Sequence, residues 1–586
     1  MILILRLVLL AICARGLPGA PAPPRAAKTD TSAARRWLKS MTLSQKAAQL
    51  VVVPFYGDLP GATSREYQKL ARLVRETRVG GLVLINRVRN RVLKRAEPYA
   101  LAAFLNRMQR LARIPLLVAG DFERGASMRV ESTTLFPHAM AFTAARDLEA
   151  TRYAGELTAR ESRALGFHWV LCPVADVNNN PGNPVINMRS YGENPEDVSA
   201  HVRAFIQGAR SWPRTRVLTT AKHFPGHGDT AVDSHLNLAA IAAGRARLES
   251  VELAPFRAAI AEGVDSIMTA HIGVPALDRP EIPATLSAPV LTGLLRKEMG
   301  FQGLIVTDAL EMGGIAQGFG PAEAAVRALE AGADVLLMPS DPDTAIRGVV
   351  EAVRKGRLTE KRIAESVARI LAAKQRVGLN RARLVDVEAI ADAIDTPDAA
   401  ARAQQVADRA VTLVRNERAQ IPVRAGDGAG FLILTENRYS IQGQALAEEI
   451  ARRARDAKVI TLDPLLSEAA VEDALGALAG CPHLVVLAFT QANAYRDGTV
   501  LPAGYPKRLE SLIAGGRPVA LVSLGNPYLI RSFPGVAAYL ATYSPVVPAE
   551  IAAIKALFGQ IAIGGRLPVT IPGIAKYGEG ISVPAR

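Results

Sequence analysis

The stretch KHFPGHGDTAVDSH, residues 222–235, places one lysine, three histidines and two aspartates around two glycines, directly after a hydrophobic run. Two chemistries compete for that inventory. His223, His227, Asp229, Asp233 and His235 form a supply of metal ligands, as a metal-dependent barrel hydrolase would need. Their spacing fits no familiar zinc pattern, however, and Lys222 would set a cation among the ligands. No metal and no organic cofactor is expected. Glycoside cleavage uses the residues better. It requires a carboxylate to meet an oxocarbenium-like centre, a proton donor for the departing oxygen, and polar groups that hold hydroxyls. Asp308, in GLIVTDALEM, can supply the carboxylate. Asp233 and His235 are separated by one residue, so an extended loop puts both side chains on the same side. The aspartate then accepts from one imidazole nitrogen and leaves the other to exchange a proton with substrate. An unperturbed imidazole, with a pKa of about 6.5, populates both protonation states near neutrality, as an acid that later acts as a base requires. Gly226 and Gly228 let the loop bend, and His227 is read as a hydrogen-bonded loop histidine.

These groups need a scaffold that brings distant residues together. Eight runs rich in Val, Ile and Leu recur in the first two thirds of the chain: AQLVVVPF, GGLVLIN, IPLLVAGDFE, FHWVLCPVADV, RVLTTAKHF, SIMTAHI, GLIVTDALEM and ADVLLMP. Each is followed by a stretch with helical spacing, which is what a parallel sheet covered on its outer face demands. The fold class is α/β, and the pattern predicts a (β/α)8 TIM-like barrel over residues 28–380. Asp121, Asp176, Lys222 with His223, His271 and Asp308 each fall at the carboxyl end of a run, and in a barrel those ends share one face. Residues 381–424 are expected to form a largely helical link, with VEAIADAIDTPDAAARAQQVADRAVTLVRN reading as helix. Over 425–586 the short runs FLILTE, KVITLD, HLVVLAF, PVALVSLG and AAYLATYS alternate with amphipathic segments such as GQALAEEIARRAR. They predict a second α/β domain, a sandwich with a mostly parallel sheet. Its strand ends gather no ionisable groups, so its role is structural or confined to the edge of the pocket.

KHFPGHGDT followed by DSH, together with GLIVTDALEM, resembles glycoside hydrolase family 3, specifically its β-N-acetylglucosaminidase branch. The likeness covers nearly the whole chain, because a barrel followed by an α/β sandwich is that family's two-domain form. It implies that Asp308 is the nucleophile of a retaining mechanism and that His235 is the acid/base, oriented by Asp233. It also implies that Lys222 and His223 bind sugar hydroxyls, and that Asp121, in GDFERG, holds the sugar being cut. Arg189, in NMRSYGENPEDV, is implied as a hydroxyl or acetamido contact, and His271, in MTAHI, as a pocket or supporting residue. Arg124 departs from the pattern, standing where the family often has a second glycine. The wall near Asp121 is therefore expected to be more crowded or more cationic, which bears on aglycone preference. The implied activity is that of an exo-acting retaining β-N-acetylhexosaminidase, removing terminal GlcNAc from peptidoglycan fragments or chito-oligosaccharides. The alternatives are a β-glucosidase or other exo-glycosidase of the same family, and a phosphorylase using phosphate as acceptor. The usual β-glucosidase takes a carboxylate acid/base from the second domain, which the DSH element makes unnecessary. A histidine acid/base suits phosphate because it avoids like-charge repulsion. A glycan-binding protein without turnover would have no reason to keep the nucleophile, the dyad and the lysine together.

Composition agrees with an enzyme of two domains: 586 residues, 49% hydrophobic and 21% charged. The opening MILILRLVLLAICARGLPGAPAPP has an apolar stretch too short to span a bilayer that runs into small residues and prolines. It predicts a signal over residues 1–27, export to the periplasm or the medium, and no stable membrane span after cleavage. Of three cysteines, Cys13 falls in that signal, while Cys172 and Cys481 sit in apolar runs and are expected to be buried, unpaired thiols. The formal charge of +15 is carried by arginines scattered among acids without interleaved aromatics. That arrangement points to solvated helix faces and a carbohydrate partner, not to nucleic acid.

Overall fold

A computed structural model describes residues 32–89, 92–212, 216–424, 426–490, 501–502 and 504–586. The expected signal over 1–27 lies outside the described residues. The fold is α/β, and all eight apolar runs of the first region contain a strand: β1 (Val51–Tyr56), β2 (Gly81–Ile85), β3 (Leu117–Gly120), β4 (Trp169–Val170), β5 (Thr220–Phe224), β6 (Ser266–Thr269), β7 (Leu304–Thr307) and β8 (Leu336–Leu337). Every pairing among them is parallel, and each strand pairs with its successor in the chain. Ladders join β1 to β2, β2 to β3, β3 to β4, β5 to β6 and β6 to β7. Single bridges, Trp169 to Leu218 and Val306 to Val335, connect β4 to the residues just before β5 and β7 to the residue just before β8. The eighth strand pairs back to the first through Val51 and Leu336. Trp169 is fully buried among these strands, and its indole N–H donates to Thr220 Oγ1 (2.8 Å) and Ser266 Oγ (2.9 Å). The donor is thereby satisfied where water cannot reach.

Helices between the strands begin where the sequence offers caps. Asn194 Oδ1 accepts from the amides of Glu196 and Asp197, and Pro195 occupies the first turn of Pro195–Arg210, where its missing N–H costs nothing. Because the strands are parallel, their carboxyl ends open on one side. Asp121 and Asp308 directly follow β3 and β7, and Lys222 and His223 lie within β5.

The second sheet holds six strands: β9 (Thr412–Asn416), β10 (Gly430–Leu434), β11 (Lys458–Leu462), β12 (Leu484–Thr490), β13 (Val519–Gly525) and β14 (Ala538–Ala541), in the spatial order β9, β14, β13, β12, β10, β11. Only β9 runs antiparallel to its neighbour. Alternate residues feed two separate apolar cores. Leu432, Val486 and Leu521 face one, and Phe431, Val485 and Val522 the other, so both faces are covered. Here the helical reading of residues 387–416 needs correction. The helix spans Pro397–Ala410, and TLVRN, expected to continue it, is the edge strand β9. Its β-branched and apolar residues find a ladder on β14, and that pairing overrides a helical pattern that had already run out.

The second region packs on a short helix and loops of the first. Met140, Ala141 and Met188 share an apolar cluster with Tyr528, Leu567 and Val569. Asn178 Nδ2 donates to Tyr528 Oη (3.1 Å), and the Thr570 amide and hydroxyl donate to the Glu193 carboxylate (2.6 Å each). Cys172 and Cys481 are both buried and unpaired. No helix among the described residues is long and apolar enough to cross a membrane.

Candidate active site

A cavity of about 480 Å³ opens at the carboxyl ends of β1–β8. Its floor is apolar, with Val83, Leu171, Met268 and Leu337, and its walls carry Asp121, Glu123, Arg124, Arg129, Arg189, Lys222, His223, His235 and Asp308. All lining residues among those described fall between positions 83 and 338, so none belongs to the second sheet. A regular strand would point Lys222 and His223 to opposite faces. The pairing of β5 with β6 shifts register between Ala221 and Phe224, and both side chains reach the cavity.

One side of the cavity is a connected charge network. Lys222 Nζ, on a side chain only 3% exposed, donates to Asp121 Oδ1 at 2.5 Å and lies 2.8 Å from Glu123 Oε1. Arg189 grips Glu123 with two parallel bonds, Nε to Oε2 (2.9 Å) and Nη2 to Oε1 (2.7 Å), and Arg129 Nη2 donates to Asp121 Oδ2 (3.0 Å). Burial alone would raise the Glu123 carboxyl, yet Arg189 and Lys222 pull it well below the ordinary range. For Lys222 burial favours loss of the proton, but Asp121 and Glu123 outweigh it and its pKa is raised. Glu123 and Lys222 are therefore both charged at neutral pH, and the network presents fixed donors and acceptors to the cavity. Arg124 stands apart. It lines the cavity, and no carboxylate among the described residues is paired with it; burial, then Arg95 and Arg129, push its guanidinium down to about 10.

Replacing Glu123 by Gln leaves Lys222 and Arg189 short of a charge they depend on. Breaking one partner out of such a buried group typically costs about 3–5 kcal/mol. The folded-state pKa of Glu123 lies below its unfolded value, so its stabilisation is complete above the unfolded pKa and lost as pH falls through the folded one. Denaturant melts of wild type and Glu123→Gln are expected to differ most at pH 7 and to converge in acid. A gap independent of pH would contradict this assignment.

The opposite side holds the histidines. His223 Nδ1 is 2.7 Å from Asp176 Oδ2, and the backbone amides of His223 and His227 both donate to Asp176 Oδ1 (3.0 and 2.7 Å). Asp176 is fully buried. Burial opposes its charge, but His223 and then His227 outweigh it and lower its pKa. His227 lines the cavity with both ring nitrogens engaged, Nε2 2.7 Å from Ser234 Oγ and Nδ1 2.8 Å from Thr230 Oγ1; burial pushes it down to about 4, so it is neutral. Asp229 pairs with Arg247 (3.2 Å). The five residues that suggested metal ligands are thus dispersed, and no group of three or more His, Cys, Asp or Glu among the described residues is placed to hold one ion. Gly226 adopts φ +124°, and a Cβ on Gly228 would fall 1.8 Å from the Val177 carbonyl oxygen, so both positions require glycine to seat the loop.

His235 and Asp233 form the dyad expected from their spacing. Asp233 Oδ1 accepts from His235 Nδ1 (2.7 Å) and from the His235 amide (2.8 Å). The Nδ1 proton is committed to the carboxylate, which fixes the tautomer of the ring. Asp308 Oδ1 accepts from the Ala309 amide (2.8 Å). Burial works against its charge, but His223, His271 and His235 in turn prevail, and its pKa is lowered. An ionised carboxylate at neutral pH is what a nucleophile needs.

Of the two roles expected of His271, a pocket contact or a supporting residue, its position fits the second. It is fully buried and absent from the cavity lining. Nε2 donates to the Ala309 carbonyl (2.9 Å) and Nδ1 meets Thr285 Oγ1 (2.8 Å), so it steadies the peptide next to Asp308. Glu123, Arg129 and the orienting role of Asp176 were not singled out from sequence. Glu123 was visible inside GDFERG as an acid two residues after Asp121, on the same side of an extended chain.

Known proteins resemble this chain in sequence and in fold. Residues 42–373 match the glycosyl hydrolase family 3 N terminal domain. A beta-N-acetylglucosaminidase/beta-glucosidase of Cellulomonas fimi is 29% identical over 91% of this chain and 95% of that protein. Beta-hexosaminidase A of Pseudoalteromonas piscicida is 30% identical over 91% of this chain and 97% of that protein. Among solved structures, a glycoside hydrolase family 3 beta-N-acetylglucosaminidase from Paenibacillus sp. str. FPU-7 superposes with a TM-score of 0.80 at 33% identity, covering 91% of this chain and 99% of that one.

Proposed function

Because the chain belongs to glycoside hydrolase family 3, we propose that it is an exo-acting, retaining β-N-acetylhexosaminidase that removes terminal β-linked GlcNAc through a covalent glycosyl-enzyme. The observation that carries this reading is the placement of Asp308, ionised, and of His235, held by Asp233, on the wall of one cavity whose other side is a hydroxyl-binding charge network. In the first step an Asp308 oxygen attacks the anomeric carbon as the bond to the leaving oxygen breaks, and the His235 Nε2 proton passes to that oxygen. In the second, His235 takes a proton from water, the water oxygen bonds to the anomeric carbon, and Asp308 departs. Two inversions give net retention. Lys222, Asp121, Arg189 and His223 hold the hydroxyls and the acetamido group of the sugar during both steps.

The uninterrupted circuit of parallel pairing through β1–β8 supports reading residues 28–380 as a (β/α)8 barrel, and the doubly covered second sheet supports an α/β sandwich over 425–586. Among the described residues the lining falls within positions 83–338, which favours the histidine as acid/base over a carboxylate from the second region. The natural substrates proposed are peptidoglycan fragments or chito-oligosaccharides, met after export directed by the first 27 residues. Turnover of nitrophenyl β-GlcNAc against nitrophenyl β-glucoside, with the product anomer recorded by NMR, tests the proposal. Preferential hydrolysis of the GlcNAc glycoside to the β-anomer is expected. Preference for glucoside would favour a β-glucosidase, and a sugar 1-phosphate formed on adding phosphate would favour a phosphorylase.

A further inference from the structure

The segment that follows Asp308 also holds the loop that carries His235. After Asp308 the chain continues as ALEMGGIAQ, and three of its groups donate to the backbone of the dyad loop. The Gly313 amide donates to the His235 carbonyl (3.0 Å), the Gly314 amide to the Ser234 carbonyl (3.3 Å), and Gln317 Nε2 to the Leu236 carbonyl (2.7 Å). Three consecutive carbonyls, 234 to 236, are thus bound by one short segment.

Proximity, not backbone conformation, requires glycine at 313 and leaves little room for a side chain at 314. A Cβ on Gly313 would lie 2.4 Å from the Leu236 carbonyl oxygen and 2.8 Å from that of His235. One on Gly314 would lie 3.1 Å from both the Ser234 carbonyl oxygen and His271 Cβ. The segment is anchored in turn at its start, where His271 binds the Ala309 carbonyl while the Ala309 amide binds Asp308. Ser234 is fixed from the other side by His227. The nucleophile and the acid/base, 73 positions apart in sequence, therefore share one hydrogen-bonded connection whose Gly313, Gly314 and Gln317 are absent from the cavity lining.

We propose that Gly313, Gly314 and Gln317 form a latch that sets the position of His235 relative to Asp308, with Gln317 as a positioning residue for proton donation. The proposal rests on the assignment of Asp308 and His235 as nucleophile and acid/base. Gln317 is exposed, so its replacement leaves the core untouched. Loosening the dyad loop harms the steps in which the imidazole must meet the leaving oxygen or the attacking water; kcat/KM reads the first of these, and general acid catalysis depends steeply on that alignment.

The test is kinetic, on the full chain. In Gln317→Ala, kcat/KM for methyl β-GlcNAc, whose leaving group needs a proton, is expected to fall ~10-fold, while that for dinitrophenyl β-GlcNAc stays within ~2-fold. Labelling of Asp308 by a 5-fluoro-GlcNAc fluoride, which needs no acid, proceeds at the wild-type rate. Gln317→Glu, similar in shape but without a donor, behaves like alanine, and Gln317→Lys, which restores a donor of similar reach, recovers the methyl glycoside. Gly314→Ala, made independently, shows the same dependence on leaving group. Equal losses on both substrates, no loss on either, or full activity in Gln317→Glu overturns the latch. Absence of turnover by the unaltered protein on every GlcNAc glycoside would instead overturn the functional assignment beneath it.

Discussion

Asp308→Ala is expected to lower kcat on nitrophenyl β-GlcNAc by about 10⁴-fold or more, because it removes the atom that bonds to the anomeric carbon and no other carboxylate among the described residues is placed to replace it. Glu311 also lines the cavity, but burial raises its pKa, and it lacks the three histidines that keep Asp308 ionised. Asp121 and Glu123 are engaged by Lys222, Arg129 and Arg189. In the alanine variant azide is expected to enter the vacated space, attack the anomeric carbon directly and yield the inverted glycosyl azide. A 2- or 5-fluoro sugar reagent should label Asp308 in the wild type. A variant that retains its rate, or label recovered on another residue, would refute the nucleophile assignment.

His235→Ala is expected to act selectively. For alkyl glycosides kcat/KM should drop by roughly 10²–10⁴-fold, the usual contribution of a positioned general acid. For dinitrophenyl glycosides kcat/KM should change by less than about 10-fold, since that leaving group departs without a proton. The second step still needs a base to activate water, so the glycosyl-enzyme should accumulate and appear as a burst. Azide, which needs no deprotonation, should discharge it with retained configuration, the opposite of the outcome at Asp308. Asp233→Asn should follow the same pattern more weakly, because it keeps the loop but no longer holds the Nδ1 proton as a charge partner. Uniform losses across leaving groups would remove His235 from the acid/base role.

Much of this site was legible because its signals are local. A strand declares itself by a short apolar run, and a residue at the end of that run travels with it, so Asp121, Lys222, His223 and Asp308 were placed by the runs that carry them. The Asp233–His235 dyad depends on two residues one position apart, and no distant partner can change their adjacency. The five runs of the second region were readable for the same reason.

What the sequence determined by itself was where the apolar strands of both sheets lie except for the edge strand β9, which ionisable groups share the carboxyl-terminal side, and the composition of the dyad. Only the tertiary structure decided whom those groups meet. Glu123 earned a role through Lys222 and Arg189, Asp176 through His223, and His271 was drawn behind the nucleophile by Ala309 and Thr285. TLVRN became a strand because β14 offered it a partner, and Gly313 proved necessary because another loop's carbonyls lie against it. The reason is physical: propensity and periodicity are properties of neighbours along the chain, whereas a salt bridge, a ladder or a close backbone approach exists only after folding has closed the distance.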